Sequence, residues 1–449
     1  MVADTDTRVR GVTAARTVTI TIAVLTLAWL VDYVDRAILP VALPLIGADL
    51  GLSASAQGLV LTVSYAVYAA SQIPAGIIAD RMGSARTMVA GLVAWSVCTA
   101  ATGLVAGFWG FLGARVLFAV SVAALPAASM KAMAERADPD RRMTAYGVMF
   151  CTTEFAGALS PLVVGPLLAT LGWRPSFLLV AAAGVVTAPV VWWLLPPPRP
   201  TAGGEPESGR EPESGGERLG LAGAWRVLRV GVLWRFALLF GGINIIGFGV
   251  GSWLPSYLVE VQHVGVGWAG VASTAPQFLE AVAIMVGGVL FDRYFHHRPQ
   301  WLVVPALAVT GLLITAVLFV DGVAPFLVLV TLAVGVRGLA VMSVYGLPLR
   351  SLPAEISGTV NGLINFGGQV SGAVAPLAMG VLIDVHSYTA AFAFLLFGVA
   401  VSVAAAFWIP RTPEDFSRRI TALTATGDCG NNGTGDCAGK GTGPAGRGN

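Results

Sequence analysis

The sequence predicts an all-α integral membrane protein, with twelve transmembrane helices forming two pseudo-symmetric six-helix bundles. Three observations predict it. Apolar residues make up 55% of the 449-residue chain and charged residues only 12%, against about a quarter charged in soluble domains. Twelve apolar runs are long enough to cross a bilayer. A polar stretch rich in Pro and Gly divides them six and six, and one short motif recurs at the same place in both halves.

The elements follow in order. Residues 1–16 form a cytoplasmic segment carrying Arg8, Arg10 and Arg16. A basic segment before an apolar run also begins a signal peptide, but Asp32, Asp35 and Arg36 would sit badly in a cleaved apolar core, and eleven more spans follow. The N-terminal bundle covers 17–195, with spans at 17–46, 54–79, 85–105, 107–135, 143–171 and 174–195. Residues 196–223 are polar, contain EPESG twice, and are expected to form a disordered cytoplasmic linker. The C-terminal bundle covers 224–410, with spans at 230–259, 266–291, 300–320, 325–350, 357–383 and 388–409. Residues 411–449, rich in Gly, Thr and Asn, are expected to be a disordered cytoplasmic tail. That tail contains the sequon Asn432-Gly433-Thr434, which has no meaning on the cytoplasmic side.

Charge sets the expected orientation. With the N-terminus inside, 23 of the 27 Lys and Arg fall in cytoplasmic segments or at the cytoplasmic ends of spans; only Arg174 sits at an outer loop, and Arg36, Arg115 and Arg337 lie deep within spans. The positive-inside rule therefore places both termini in the cytoplasm of a plasma membrane, expected to be bacterial. A net charge of +2 and no basic patch interleaved with aromatics argue against nucleic acid as a partner. Cys98 and Cys151 lie in spans and Cys429 and Cys437 in the tail, without metal-ligand spacing. His263, His296, His297 and His386 all fall in expected loops. The chain is therefore read as having no metal, cofactor or enzymatic site, and as a monomer in the lipid bilayer.

The repeated motif is specific. After span two the chain reads GIIADRMGSAR, with Gly76, Asp80, Arg81, Gly83 and Arg86. After span eight it reads GVLFDRYFHHR, with Gly288, Asp292, Arg293 and Arg298 at the same spacing; only the glycine matching Gly83 is missing. Two copies at corresponding places in two six-span halves point to duplication. On these residues, roughly 17–410 resemble a major facilitator superfamily transporter. The resemblance implies a gating loop of Gly76, Asp80, Arg81, Gly83, Arg86, Asp292 and Arg293. It also implies that Asp80 latches onto the N-terminal end of span eleven, where a helix dipole favours an anion. The alternative is a basic turn that only obeys the positive-inside rule.

A narrower resemblance lies in Tyr33-Val-Asp35-Arg36-Ala37 followed by Val41-Ala-Leu-Pro44, in Gly157-Ala-Leu-Ser-Pro161 with Gly165, and in Trp253-Leu-Pro255-Ser-Tyr257. These are similar to the anion:cation symporter family of sugar-acid and organic-anion transporters. The resemblance implies that Arg36 and Arg115 hold a substrate anion and that Asp35 takes part in proton coupling. The acid that family often carries in span four is absent: Pro126 puts Ser121 there, or Val122 when counted from Arg115. Gly247 stands where an aromatic is expected after Asn244.

Depth gives the arginine pair independent support. Arg36 lies about 10 residues before the outer end of span one and Arg115 about 8 after the outer start of span four, so both sit roughly 12–15 Å below the outer face. Charge at that depth is costly unless it lines a cavity or handles a ligand. A guanidinium can bind a carboxylate through two parallel hydrogen bonds. The alternative is that protein acids neutralise both arginines: Asp32 and Arg36 are four apart on one helix face and are placed to pair. Asp35, turned about 100° from Arg36, is expected to face the cavity less tightly paired. Asp32, Glu154 and Glu280 are the other candidate proton carriers. Tyr33, Asn244, Asn365 and Gln369 are candidate substrate contacts, although polar residues between membrane helices often serve only packing.

The reading is of a secondary transporter that moves a small organic anion, a carboxylate or sugar acid, with protons by alternating access. The alternative is a proton-driven exporter of a drug or natural product, kept open by the missing span-four acid and by an acid in span five. A non-transporting membrane sensor is the third reading.

Overall fold

Among the described residues of the computed structural model, twelve helices long and apolar enough to cross a membrane follow one another. The structure describes residues 2–136, 142–197, 231–351 and 354–410. Nearly all of the linker and all of the tail expected at 196–223 and 411–449 therefore lie outside the described residues. The spans are Arg16–Leu50, Ala54–Ala79, Ser84–Leu104, Phe108–Met133, Cys151–Leu171 and Trp173–Leu194 in one half. In the other they are Gly231–Glu260, Val266–Phe295, Gln300–Val317, Val323–Gly346, Gly362–Val385 and Tyr388–Trp408. The near face is the one at which span 1 begins, and the far face the one at which it ends.

Local chemistry sets the helix ends. Ser53 caps span 2 by accepting from the Ala56 N–H at 3.2 Å, and Ser387 caps span 12 by accepting from the Ala390 N–H at 3.2 Å. Span 1 runs on to Leu50, four residues past the expected end, because Pro40 and Pro44 are tolerated inside it. Spans 4 and 8 are interrupted at Ala123 and Ser273. Pro126 and Pro276 follow three residues later in each case; a ring without an N–H cannot complete the ladder there.

The motif glycine has a backbone reason. Gly83 closes span 2 and opens span 3 at φ 83°, ψ 160°, a region essentially restricted to glycine. In the second copy Phe295 occupies that position. There the chain leaves span 8 through a π-turn at Phe291–Phe295, with His296 and His297 following, before span 9 begins at Gln300. The lost glycine is thus matched by a different, longer turn. Next to the first copy, Arg136 at the end of span 4 is buried and donates to Ser84 Oγ at 3.1 Å and to the Pro196 carbonyl at 2.6 Å. It also pairs with Glu135 at 2.8 Å, tying spans 3, 4 and 6 together at the near face.

Each half has two apolar cores, one toward each face. In the first half Leu25, Ala28, Trp95 and Phe118 belong to the near core, and Ile38, Phe111 and Phe177 to the far one. In the second, Phe236, Ile243 and Ala340 lie near, and Ile246, Trp253 and Val334 far. Asp32, Asp35 and Arg115 lie between the two cores of the first half, and Asn244 and Arg337 between those of the second. Mid-depth is therefore a polar layer held between apolar ones.

The halves meet closely toward the far face. Asp384, at the end of span 11, accepts from the Ala54 and Ser55 N–H groups at 2.9 and 2.7 Å, the opening turn of span 2. A methyl group on Gly58 would stand 2.5 Å from the Pro376 carbonyl oxygen. One on Gly270 of span 8 would stand 2.5 Å from Gly165 Cα of span 5. Backbone lies on backbone at both contacts, which only glycine permits.

Candidate functional site

Span 1 supplies Asp32, Asp35 and Arg36. Arg36 Nε lies 2.8 Å from Asp32 Oδ2, one turn back on the same face. The Arg36 guanidinium also sits over the Tyr68 ring at 4.5 Å. Asp35, the adjacent residue, points into the bundle instead. Thr99 Oγ1 donates to its Oδ2 at 2.5 Å, and Arg115 NH2 lies 3.9 Å from its Oδ1. Arg115 is enclosed by the rings of Phe118 and Phe177, at 4.3 and 5.3 Å.

This corrects one expectation. Asp35 is not loosely paired toward a cavity: it is 1% exposed, held between Thr99 and Arg115. The 100° turn between neighbouring helical residues that frees it from Arg36 delivers it to span 4. Arg36, with a side chain 27% exposed, is the open member of the group. The two arginines do meet. Arg36 and Arg115 both line a cavity of about 70 Å³, with Ser64, Tyr65 and Tyr68 of span 2.

A larger cavity of about 330 Å³ lies between the halves. Tyr33, Glu154 and Gly157 face it from the first half, and Asn244, Phe248, Gln277, Glu280 and Arg337 from the second. The Tyr33 hydroxyl donates to Glu154 Oε1 at 3.4 Å. Gly157 makes room for that ring, since a Cβ there would lie 2.9 Å from the nearest ring carbon. Tyr33 and Arg36 are three residues apart, so the two cavities flank one turn of span 1.

Asn365 and Gln369 line neither cavity. Span 11 presses Gly367, Gly368, Ser371 and Gly372 against span 7, with Ser371 Oγ donating to the Gly241 carbonyl at 2.6 Å. That orientation leaves Asn365 exposed and Gln369 half-buried on the flank. Of the gating loop, Arg81, Arg86, Asp292 and Arg293 are exposed and Gly76 has open space around it. The Asp80 side chain and the side chains at 354–359 lie outside the described residues, and so does the expected latch.

Several contributors were not singled out from sequence. Thr99 is one of several hydroxyl residues on span 3, near Ser96 and Thr102, and nothing in the sequence sets it apart. Tyr65 and Tyr68, three apart beside Ser64, form a polar stripe that was legible in SYAVYAAS. Asp384 reads as an ordinary loop acid until span 2 is placed against it.

The family model described as Major Facilitator Superfamily matches residues 25–376. A hexuronate transporter of Bacillus subtilis (strain 168) is 29% identical over 385 residues, covering 83% of this chain and 89% of that protein. An MFS-type efflux pump of Mycolicibacterium smegmatis is 27% identical over 374 residues, covering 81% and 84%. Among solved structures, a bacterial homolog of the human lysosomal transporter Spinster, in an inward-facing and unoccupied conformation, superposes with a TM-score of 0.76. It is 19% identical and covers 87% of this chain and 97% of its own, a likeness of fold.

Proposed function

The chain belongs to the major facilitator superfamily, and from that premise we propose that it carries small organic anions, sugar acids foremost, together with protons across a bacterial plasma membrane. The observation that carries the reading is the meeting of Arg36 and Arg115 on one mid-depth cavity. Similarity to a hexuronate transporter supports the substrate class.

A substrate carboxylate enters the space beside Arg36 and takes the place of Asp32 on its guanidinium. Tyr68 and Tyr65 provide stacking and hydroxyl contacts for the rest of the molecule, and Tyr33 and Asn244 meet the part that reaches the central cavity. Asp32, released from Arg36, is an uncompensated buried charge unless it takes a proton; anion and proton therefore enter together. Asp35, Glu154 and Glu280 are further carriers of that proton. The positive-inside count makes the near face cytoplasmic. The far-face contacts of Asp384, Gly58 and Gly165 then seal the outer side, and transport proceeds as the two halves rock about the midplane. Asp80 latches the opposite side in the alternate state. The working unit is a monomer in the bilayer.

Purified protein tests this. D-glucuronate is expected to raise the thermal unfolding temperature of the wild type by several degrees and to leave Arg36→Gln unmoved. Equal shifts for both proteins would overturn the reading. One observation favours a second reading: the central cavity sets two carboxylates, Glu154 and Glu280, against one guanidinium, Arg337. That balance suits a cation, and a relative is named as an efflux pump. Stabilisation by tetraphenylphosphonium, with none by any acid, would establish it instead.

A further inference from the structure

Span 10 carries a third intramembrane guanidinium. Arg337 is 3% exposed and borders the central cavity. Its NH1 donates to the Ile243 carbonyl of span 7 at 2.9 Å, and its NH2 pairs with Glu280 Oε1 of span 8. Its Nε is buried without a hydrogen-bond partner. Gly247 makes the space: a Cβ there would lie 2.8 Å from Arg337 NH1 and 2.9 Å from Cζ. The aromatic expected at that position would exclude the guanidinium.

The arrangement mirrors that of the first half. Arg36 stands fourteen residues from Leu50 at the far end of its helix, and Arg337 fourteen from Val323 at the far end of its own. At 1.5 Å per residue both are about 21 Å from those ends. Arg36 and Arg337 thus stand equally far from the far ends of their helices in opposite halves, and each is paired with a carboxylate of its own half. The Glu280 side chain is the accessible partner, 21% exposed against 3% for Arg337. Glu280 can therefore leave the pair for water, whereas Arg337 must keep an anion beside it.

We propose that Arg337 is a second anion-binding residue with Glu280 as its exchangeable counter-ion, and that the transporter's preferred substrates are dianionic acids. One acidic group binds beside Arg36 and Arg115. The other replaces Glu280 on Arg337, so the buried guanidinium is never left bare. A monoanion uses the first pole only. The proposal rests on the anion-carrier reading above.

Equilibrium binding to the purified full chain tests it, with acids paired by carbon count: D-gluconate with D-glucarate, and D-galactonate with galactarate. Glu280→Gln removes the competing carboxylate. It is expected to tighten binding of the diacids at least fivefold more than that of the monoacids. Arg337→Gln with Glu280→Gln removes both charges, so folding is not burdened by an orphan; it is expected to bind each diacid no better than its monoacid. Equal effects on both classes, or a diacid preference that survives the double change, would overturn the proposal. If Arg36→Gln still abolishes binding in that case, the anion-carrier reading stands and only the second pole falls. If no acid binds the wild type, both fall.

Discussion

Replacing Arg115 by Gln is expected to abolish uptake and to destabilise the protein by about 3–5 kcal/mol, because removing one partner of a buried ion pair leaves the other charge uncompensated. The orphan would be Asp35, fully enclosed and with only Thr99 left to hydrogen-bond it. A fall in both stability and transport would not by itself separate structure from function. The double change Arg115→Gln with Asp35→Asn does separate them. It removes both charges at nearly constant volume, so thermal stability is expected to return to within about 1 kcal/mol of wild type. Uptake is expected to stay absent, since the cavity has lost one of its two guanidinium groups. Recovery of uptake in the double variant would show that the pair serves packing alone. Uptake and unfolding temperature, measured on the same preparations, decide the matter.

Gly165→Val is expected to have an effect of similar size by a different route. Gly165 faces Gly267 and Gly270 of span 8, where a Cβ would lie 3.1 Å from Gly270 Cα and 3.0 Å from the Val271 nitrogen. Three added carbons cannot be accommodated between two backbones, and the helices must part. The far-face seal between spans 5 and 8 would then stay open. Uptake is expected to fall more than tenfold, while equilibrium binding of the anion in detergent stays within threefold of wild type. Gly113→Ala is the control: it is exposed with open space around it, and uptake should be unchanged. A Gly165→Val protein that transports normally would show that this contact does not open during the cycle.

The fold was legible to a degree that follows from its solvent. A bilayer demands about twenty apolar residues per helix, so span number, order and most ends could be read from hydropathy. Errors of several residues arose where hydropathy is not what ends the helix, as at Leu50, where span 1 runs past its prolines. The duplicated motif was legible because its spacing is kept. The different turn at Phe291–Phe295 was foreshadowed only by the missing glycine. Within the site, intra-helical geometry was accessible: Asp32 and Arg36, four apart, do pair. The partner of Asp35 was not, because a 100° turn says where a side chain points and not which helix stands there. The same limit applied to Asn365 and Gln369. Their shared face was correct, but the glycines beside them, by admitting span 7, decided which face turned toward the cavity. Gly247 illustrates this most sharply: as sequence it is a missing aromatic, and in the structure it is the space that Arg337 occupies.

Coupled movement of anion and proton tests the central claim most directly. Proteoliposomes holding a pH-sensitive dye, with no imposed gradient, would receive D-glucuronate or D-glucarate outside. Acidification of the lumen is expected with wild type, and none with Arg36→Gln. Acid uptake without proton entry, or a pH change driven only by a lipophilic cation, would contradict the account.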